Sequence, residues 1–358
     1  MPFLFLDKPI AMQDFMPYRL PAEWEPQSAI QFTWPHEEMD WGEDLETVRD
    51  RIHQCISLIA EDQVVVIAGR DREEILVRLN NVPQEHLLIV EIDANDVWAR
   101  DHGPIFIHKG EQLNVLDFQF NGWGNKYPAA LDNQITRLLW EEGIFGRLER
   151  RKMELVLEGG AIESDGAGTL MTTRKCMIHP HRNPGLTWGD LEQQLKEQLG
   201  VTRLLALPSG QLIGDDTDGH IDTLSRFCSL DTIAFVECED EKDEHFATLS
   251  RMKAELSSWR TLAGDPYHLI PLPLPTPCYH PVDGHRLPAT YANFIISNEY
   301  IIVPTYRQRS DELALQQLTT AFPNRMVVGV DALPIVRQHG SLHCLCMQYP
   351  AGAINQQK

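Results

Sequence analysis

Apolar residues along this chain recur in two alternating rhythms. Short β-branched or aromatic runs read as buried strands. They are SAIQFTWP within 20–35, VVVI within 63–69, Leu87–Ile92, Val201–Leu207 and Met326–Val330. Other stretches place apolar residues three and four apart, the spacing of one helix face. Asp44–Ala60 does so with Val48, Ile52, Cys55, Ile56 and Ile59, and Asp243–Trp259 with Phe246, Leu249, Met252 and Leu256. Thr187–Leu199 carries Leu191, Leu195 and Leu199 on one stripe, and its Thr187-x-x-Asp190 start can form a capping box. Arg72–Asn80, Leu131–Glu142 and Ser310–Phe322 also read as helices. A strand ends in Leu157-Glu158-Gly159-Gly160, and Ala289–Pro304 splits into two strand halves at Ser297-Asn298-Glu299. Phe118–Pro128 reads as a Gly-rich aromatic loop and Pro271–Pro281 as a proline-rich one.

Helices starting near 44, 131, 187, 243 and 310 each precede a strand, a Gly-rich or polar loop and a second strand. This rhythm predicts five related units in one domain over 1–358. The competing architecture is a doubly wound α/β sheet, which alternating strands and helices also fit. No GxGxxG or Walker sequence supports a nucleotide-binding version of it.

Composition narrows the function classes. The formal charge is −21, which argues against nucleic acid as a partner and suits a cationic small molecule. Apolar residues at 43% and charged residues at 23% fit an ordinary water-soluble globular chain. No apolar run approaches the ~20 residues of a membrane span. The start, MPFLFLDKPIAMQDF, lacks the basic and apolar regions of a signal peptide. Seven scattered cysteines form no disulfide framework. The expected location is therefore cytoplasmic, with no membrane partner.

The second strands of these units carry the titratable residues. They are Asp101 beside Arg100, Glu158, the pair His220 and Asp222 within GDDTDGHID (214–222), and Cys344; ATYANFII in unit four offers none. If the GHID segment is extended, His220 and Asp222 share a face. Each residue has a plain structural reading: Cys344 as a small buried hydrophobe, Asp101–Arg100 as a surface ion pair, Trp98 and Trp123 as core. Cys344 and Cys346 share a strand face that His343 leaves, and His179 and His181 lack further ligands, so no metal site is expected. Taken together, a thiol nucleophile, an acid/base histidine and carboxylates that match a guanidinium fork suit attack on a guanidinium or amidinium carbon.

WARDHGP (98–104), LEGG, GDDTDGHID followed by SRF, YANFIISNEYIIVP and HGSLHC resemble the agmatine deiminase family, grouped with Porphyromonas-type peptidylarginine deiminases. RLPAEWEPQSAIQFTWP (19–35) and FNGWGNKYP (120–128) match as well, so the resemblance runs from about residue 19 to 350. It implies a five-bladed α/β-propeller (pentein) of ββαβ-type units. It also implies cofactor-free hydrolysis of a small cationic guanidino substrate, agmatine first, to N-carbamoylputrescine and ammonia through a covalent cysteine thiouronium intermediate. Carried over by position, Cys344 is the nucleophile and His220 the general acid/base. Asp101 and Asp222 grip the guanidinium, Glu158 stands beside the histidine, and Trp98 and Trp123 contact substrate. The chain departs from the family where His339-Gly340-Ser341-Leu342 replaces G-G-G-N and where the aromatic loop reads NGWGN. Alternatives are a deiminase of arginine or peptidyl-arginine, an amidinotransferase on the same fold, and a non-catalytic guanidino or polyamine-binding protein.

Overall fold

A computed structural model describes residues 18–354 except Ser209. The opening segment read above for a signal peptide lies outside these residues. The strands fall into five small sheets, not one doubly wound sheet. In each, a first strand pairs antiparallel with a second, and the second pairs parallel with a third. The first strand of one such set is Ile105–Lys109, followed by Gln112–Gln119 and Glu149–Val156. The next is Ile162–Ser164, Thr169–Thr173 and Arg203–Leu207. Ser225–Phe227, Thr232–Glu237 and His268–Pro273 form another. Ile295–Ile296, Tyr300–Thr305 and Met326–Asp331 follow. In the remaining sheet the C-terminal strand Cys346–Pro350 pairs with the N-terminal strand Gln27–Thr33, which runs parallel to Val64–Gly69; Leu87–Glu91 adds a fourth strand.

A helix crosses between second and third strands every time, as a parallel connection requires. These helices are Leu45–Ile59, Ile135–Glu141, Trp188–Leu199, Phe246–Ser258 and Ser310–Ala321. The repeat is therefore ββαβ, the unit of a five-bladed α/β-propeller. The helix-first units read from the sequence straddle neighbouring sheets. Their functional residues lie at the crossing from one sheet to the next.

The apolar stripes are buried as their spacing demands. Leu191, Leu195 and Leu199 are fully buried, as are Val48, Ile52, Cys55, Ile56 and Ile59. Each such aliphatic side chain stabilises the fold by about 1.5–3 kcal/mol. Thr187 and Asp190 form the reciprocal capping box. Some element readings change. Phe246, not Asp243, opens its helix, because Asp243 is taken by Arg286 and His245. Pro271 and Pro273 lie in a strand and not a loop; that strand is at a sheet edge, where a missing N–H is tolerated. Among the described residues no helix is long and apolar enough to cross a membrane.

Candidate active site

The segments entering the first strands of neighbouring sheets converge on one cleft. They are turns, not strands. Ala99–His102 is a single helical turn; Gly159–Ala161, Ile221–Thr223 and His343–Leu345 are 3₁₀ turns. His220 and Asp222 are thus not the alternating pair of an extended segment, and Cys344 is not on a strand with Cys346. Small and polar residues dominate here, and local 3₁₀ bonds such as Leu224 N–H to Ile221 carbonyl (2.9 Å) replace ladder bonds.

Gly160 shows how closely the polar groups gather. A Cβ at this position would lie 2.6 Å from His220 Nδ1, 2.8 Å from Asp101 Oδ1 and 3.1 Å from Asp222 Oδ2. Only a bare Cα fits among the three. We expect Gly160→Ala to displace His220 or Asp101 and lower turnover by about a hundredfold, as misplacements near 1 Å do. Steady-state kinetics alongside a melting curve checks it; unchanged kcat would mean that the three groups do not act from these positions.

His220 is fully buried, with Nδ1 3.6 Å from Asp101 Oδ1 and Nε2 3.5 Å from Glu158 Oε2. Burial alone would lower its pKa, but Asp101, Cys176 and Glu158 hold it well above the usual histidine value. The preceding loop is fixed by Asp215, which accepts the N–H groups of Thr217 and Gly219 at 3.0 and 2.6 Å. Arg182, a residue that no sequence motif singled out, staples this loop down. Its Nε lies 2.8 and 2.7 Å from the two oxygens of Glu158, and it also donates to Asp218 and to the Thr217 carbonyl. The ion pair and His220 keep Glu158 below its ordinary range despite burial.

Asp101 accepts the Gly160 N–H at 3.0 Å and the Trp123 indole N–H at 2.8 Å. Burial, then Asp222 and Glu158, push its pKa up to about 6 against the pull of His220. Trp123 reaches Asp101 from a left-handed backbone (φ 55°), so a role as plain core filler does not account for it. Asp222 Oδ2 accepts from His343 Nδ1 at 2.8 Å and lies 3.8 Å from Cys344 Sγ. Its Oδ1 has no hydrogen-bond partner among the described residues. Burial raises the Cys344 thiol pKa, and Asp222 and Asp101 raise it further, so the thiol is neutral.

Unit four does contribute. Asn293 accepts the Cys344 N–H through Oδ1 (3.2 Å) and donates to the Asp222 carbonyl (3.4 Å). Trp98, Asp96, Trp123, Asp216, His339 and Cys344 line the cleft, whose volume is about 490 Å³ including its open mouth. Trp98 packs over Gly340, where a Cβ would meet the indole at 2.2 Å. Arg100 is buried against Glu23 rather than forming a surface pair with Asp101. Lys126 is held by Asp218 (2.8 Å) and by the Asp216 carbonyl. Among the described residues Cys344 and Cys346 join no ligand cluster, but three other groups have ligand atoms within 4.8 Å of one another: Glu23, Glu163 and His343; His280, Asp283 and His285; and Glu158, Cys176 and His220, where Arg182 already neutralises the glutamate.

The chain matches the model of the Porphyromonas-type peptidyl-arginine deiminase family over residues 19–350. It is similar to the solved structure of a Porphyromonas gingivalis protein described as a candidate arginine deiminase: 44% identity, TM-score 0.90, covering 94% of this chain and 100% of that one. It is also similar to a cysteine-to-serine variant of the C. jejuni agmatine deiminase with substrate bound, with 36% identity, TM-score 0.88, and 96% and 98% of the two chains covered. A Vibrio parahaemolyticus relative, named a candidate agmatine deiminase, is 30% identical over 93% of this chain and 97% of its own.

Proposed function

Because the chain belongs to the Porphyromonas-type peptidyl-arginine deiminase family, we propose that it hydrolyses the guanidine of a small amine, agmatine first, to a ureido product and ammonia. One observation carries this reading. A thiol and a buried carboxylate, Cys344 and Asp101, line one cleft; against them lie the fully buried His220, its pKa drawn upward, and Asp222, which keeps an oxygen without a partner among the described residues. A buried carboxylate oxygen is costly unless it meets a donor, and guanidinium N–H groups are such donors.

In the scheme we infer, the guanidinium sits between Asp101 and Asp222. Its positive charge lowers the Cys344 thiol pKa, and the thiol proton leaves to solvent. The thiolate attacks the guanidinium carbon and gives a neutral tetrahedral adduct. Protonated His220 hands its proton to the departing nitrogen, which leaves as ammonia. A thiouronium bound to Cys344 remains. His220, now neutral, takes a proton from water, and the hydroxide adds to the carbon. Collapse expels the thiolate, which recovers a proton from the product oxygen. Glu158, pinned by Arg182, keeps the His220 ring in place through both halves.

The mouth favours a cationic tail. Asp96 and Asp216 line it, and burial pushes Asp96 up to about 7 and Asp216 above its ordinary value. A substrate ammonium would draw both to the ionised form. The α-carboxylate of arginine would need a cation there. Lys126 is already bound by Asp218, and Arg100 lies buried with Glu23. We expect kcat/KM for agmatine to exceed that for arginine and for a peptide ending in arginine. Asp216→Asn should lower the agmatine value about ten- to a hundredfold and leave arginine less affected. Ammonia release from the three substrates decides it: a preference for arginine overturns the tail assignment. Transfer of the amidino group to an added amine would identify a transferase.

A further inference from the structure

His343 has no part in the steps above, yet it is fully buried against two carboxylates. Its Nδ1 lies 2.8 Å from Asp222 Oδ2, and its Nε2 lies 3.0 and 3.1 Å from the two oxygens of Glu23. The backbone holds it too, since its N–H donates to the Asn293 carbonyl at 3.1 Å. Glu23 is itself fixed from behind. Arg100 and Arg226 donate to it at 2.8 and 2.6 Å, and Arg226 also pairs with Glu163. The ring is therefore clamped on one side by a segment that enters ahead of the first strand. On the other side it meets the carboxylate whose Oδ1 is unpartnered among the described residues.

We propose that His343 is a positioning residue: clamped by Glu23, it donates Nδ1–H to Asp222 Oδ2 and so sets the carboxylate edge that receives the substrate guanidinium. The inference rests on the guanidine chemistry proposed above. A donor at Oδ2 stops the carboxylate from rotating, and Oδ1 stays directed to the substrate. The same bond has an electrostatic effect. Burial works to raise the Asp222 pKa, but the His343 bond, with help from His220 and Arg226, holds it below the ordinary range; burial, then Arg100 and Arg226, push the pKa of His343 itself down, so the ring proton assigned here is the one on Nδ1. The other groups facing Asp222 are Cys344 and Asp101, both of which feel its charge. Removing the donor therefore moves the Asp222 pKa upward.

Two substitutions separate positioning from mere filling of space. Asparagine places its amide near the Nδ1 position, toward Asp222; glutamine places it near Nε2, toward Glu23. We expect His343→Gln to lose about ten- to a hundredfold in kcat/KM for agmatine, mainly through KM. The acidic limb of its kcat/KM profile should move to higher pH and steepen, because Asp222 then titrates alongside Asp101. His343→Asn should recover most of both. An acidic limb in His343→Gln that coincides with wild type, or equal impairment of the two variants, overturns the proposal. Wild-type protein is measured first on agmatine, arginine and an arginine peptide. If it releases ammonia from none of them, the guanidine reading itself fails, an outcome distinct from a normal enzyme with an indifferent His343.

Discussion

Cys344→Ala is expected to abolish turnover, with a loss on the order of 10⁴-fold or more, since among the described residues no other thiol lines the cleft. The control is Cys346→Ala. Cys346 lies on the strand after the turn, fully buried, with its thiol directed to the His343 carbonyl at 3.6 Å. Its loss should leave most of the activity. The neutral state of the Cys344 thiol adds a pH signature. Without substrate, its alkylation by neutral iodoacetamide should be slow near neutral pH and rise steadily as pH rises, because only the thiolate reacts. A cationic amidine reagent should react faster at the same pH, as its charge settles between Asp101 and Asp222. If Cys344→Ala keeps substantial activity, the nucleophile has been misassigned.

The second large effect concerns His220. His220→Gln keeps a polar side chain in the buried site but cannot carry a proton between nitrogen and water. We expect turnover to fall by about 10²–10⁴-fold. The raised pKa matters here. Asp101 and Glu158 draw the His220 pKa upward, which favours the acid form that expulsion of ammonia needs. Glu158→Gln should lower the His220 pKa, since a charged partner is lost, and bring the alkaline limb of the kcat profile to lower pH. Stopped assays of ammonia release across pH resolve both effects. Near-normal turnover in His220→Gln would remove it from proton transfer.

How legible the site is from sequence depends on local geometry. The residues at 101, 158, 220, 222 and 344 stand out because they recur at one place in four of the five helix-led units and lie in the stretches WARD, LEGG, GHID and HGSLHC. The structure brings them into one neighbourhood, with Asp101 and Glu158 flanking His220 and with Asp222 beside Cys344. Side-chain period is the point of failure. Strand alternation sets His343 on the face opposite Cys344, but in a 3₁₀ turn both reach the Asp222 carboxylate. Asn293 does not stand out because it does not titrate, and an amide that fixes a backbone N–H leaves no mark on a pattern of charges. Arg182 stands in the HPHRNP stretch, behind two histidines that look more like ligands. Only the fold brings it to Glu158, 24 residues away in sequence. Glu23 and Arg226 lie inside recognised motifs, but the contacts of Glu23 with His343 and with Arg226 span 320 and 203 residues of the chain. The five-part rhythm is visible in the helices. Its phase is not, because the first strands are as short as Ile295–Ile296 and the C-terminal strand completes the N-terminal sheet.

The most direct test is the mass of the protein during turnover. Wild-type protein mixed with agmatine, quenched in acid within milliseconds to seconds and digested, should yield one modified peptide. That peptide should contain Cys344 and be heavier by agmatine less ammonia, and the adduct should accumulate further in His220→Gln if water attack is the slower half. Ammonia released at full rate with no adduct on Cys344 under any quench, or an adduct carried by another cysteine, would contradict the account.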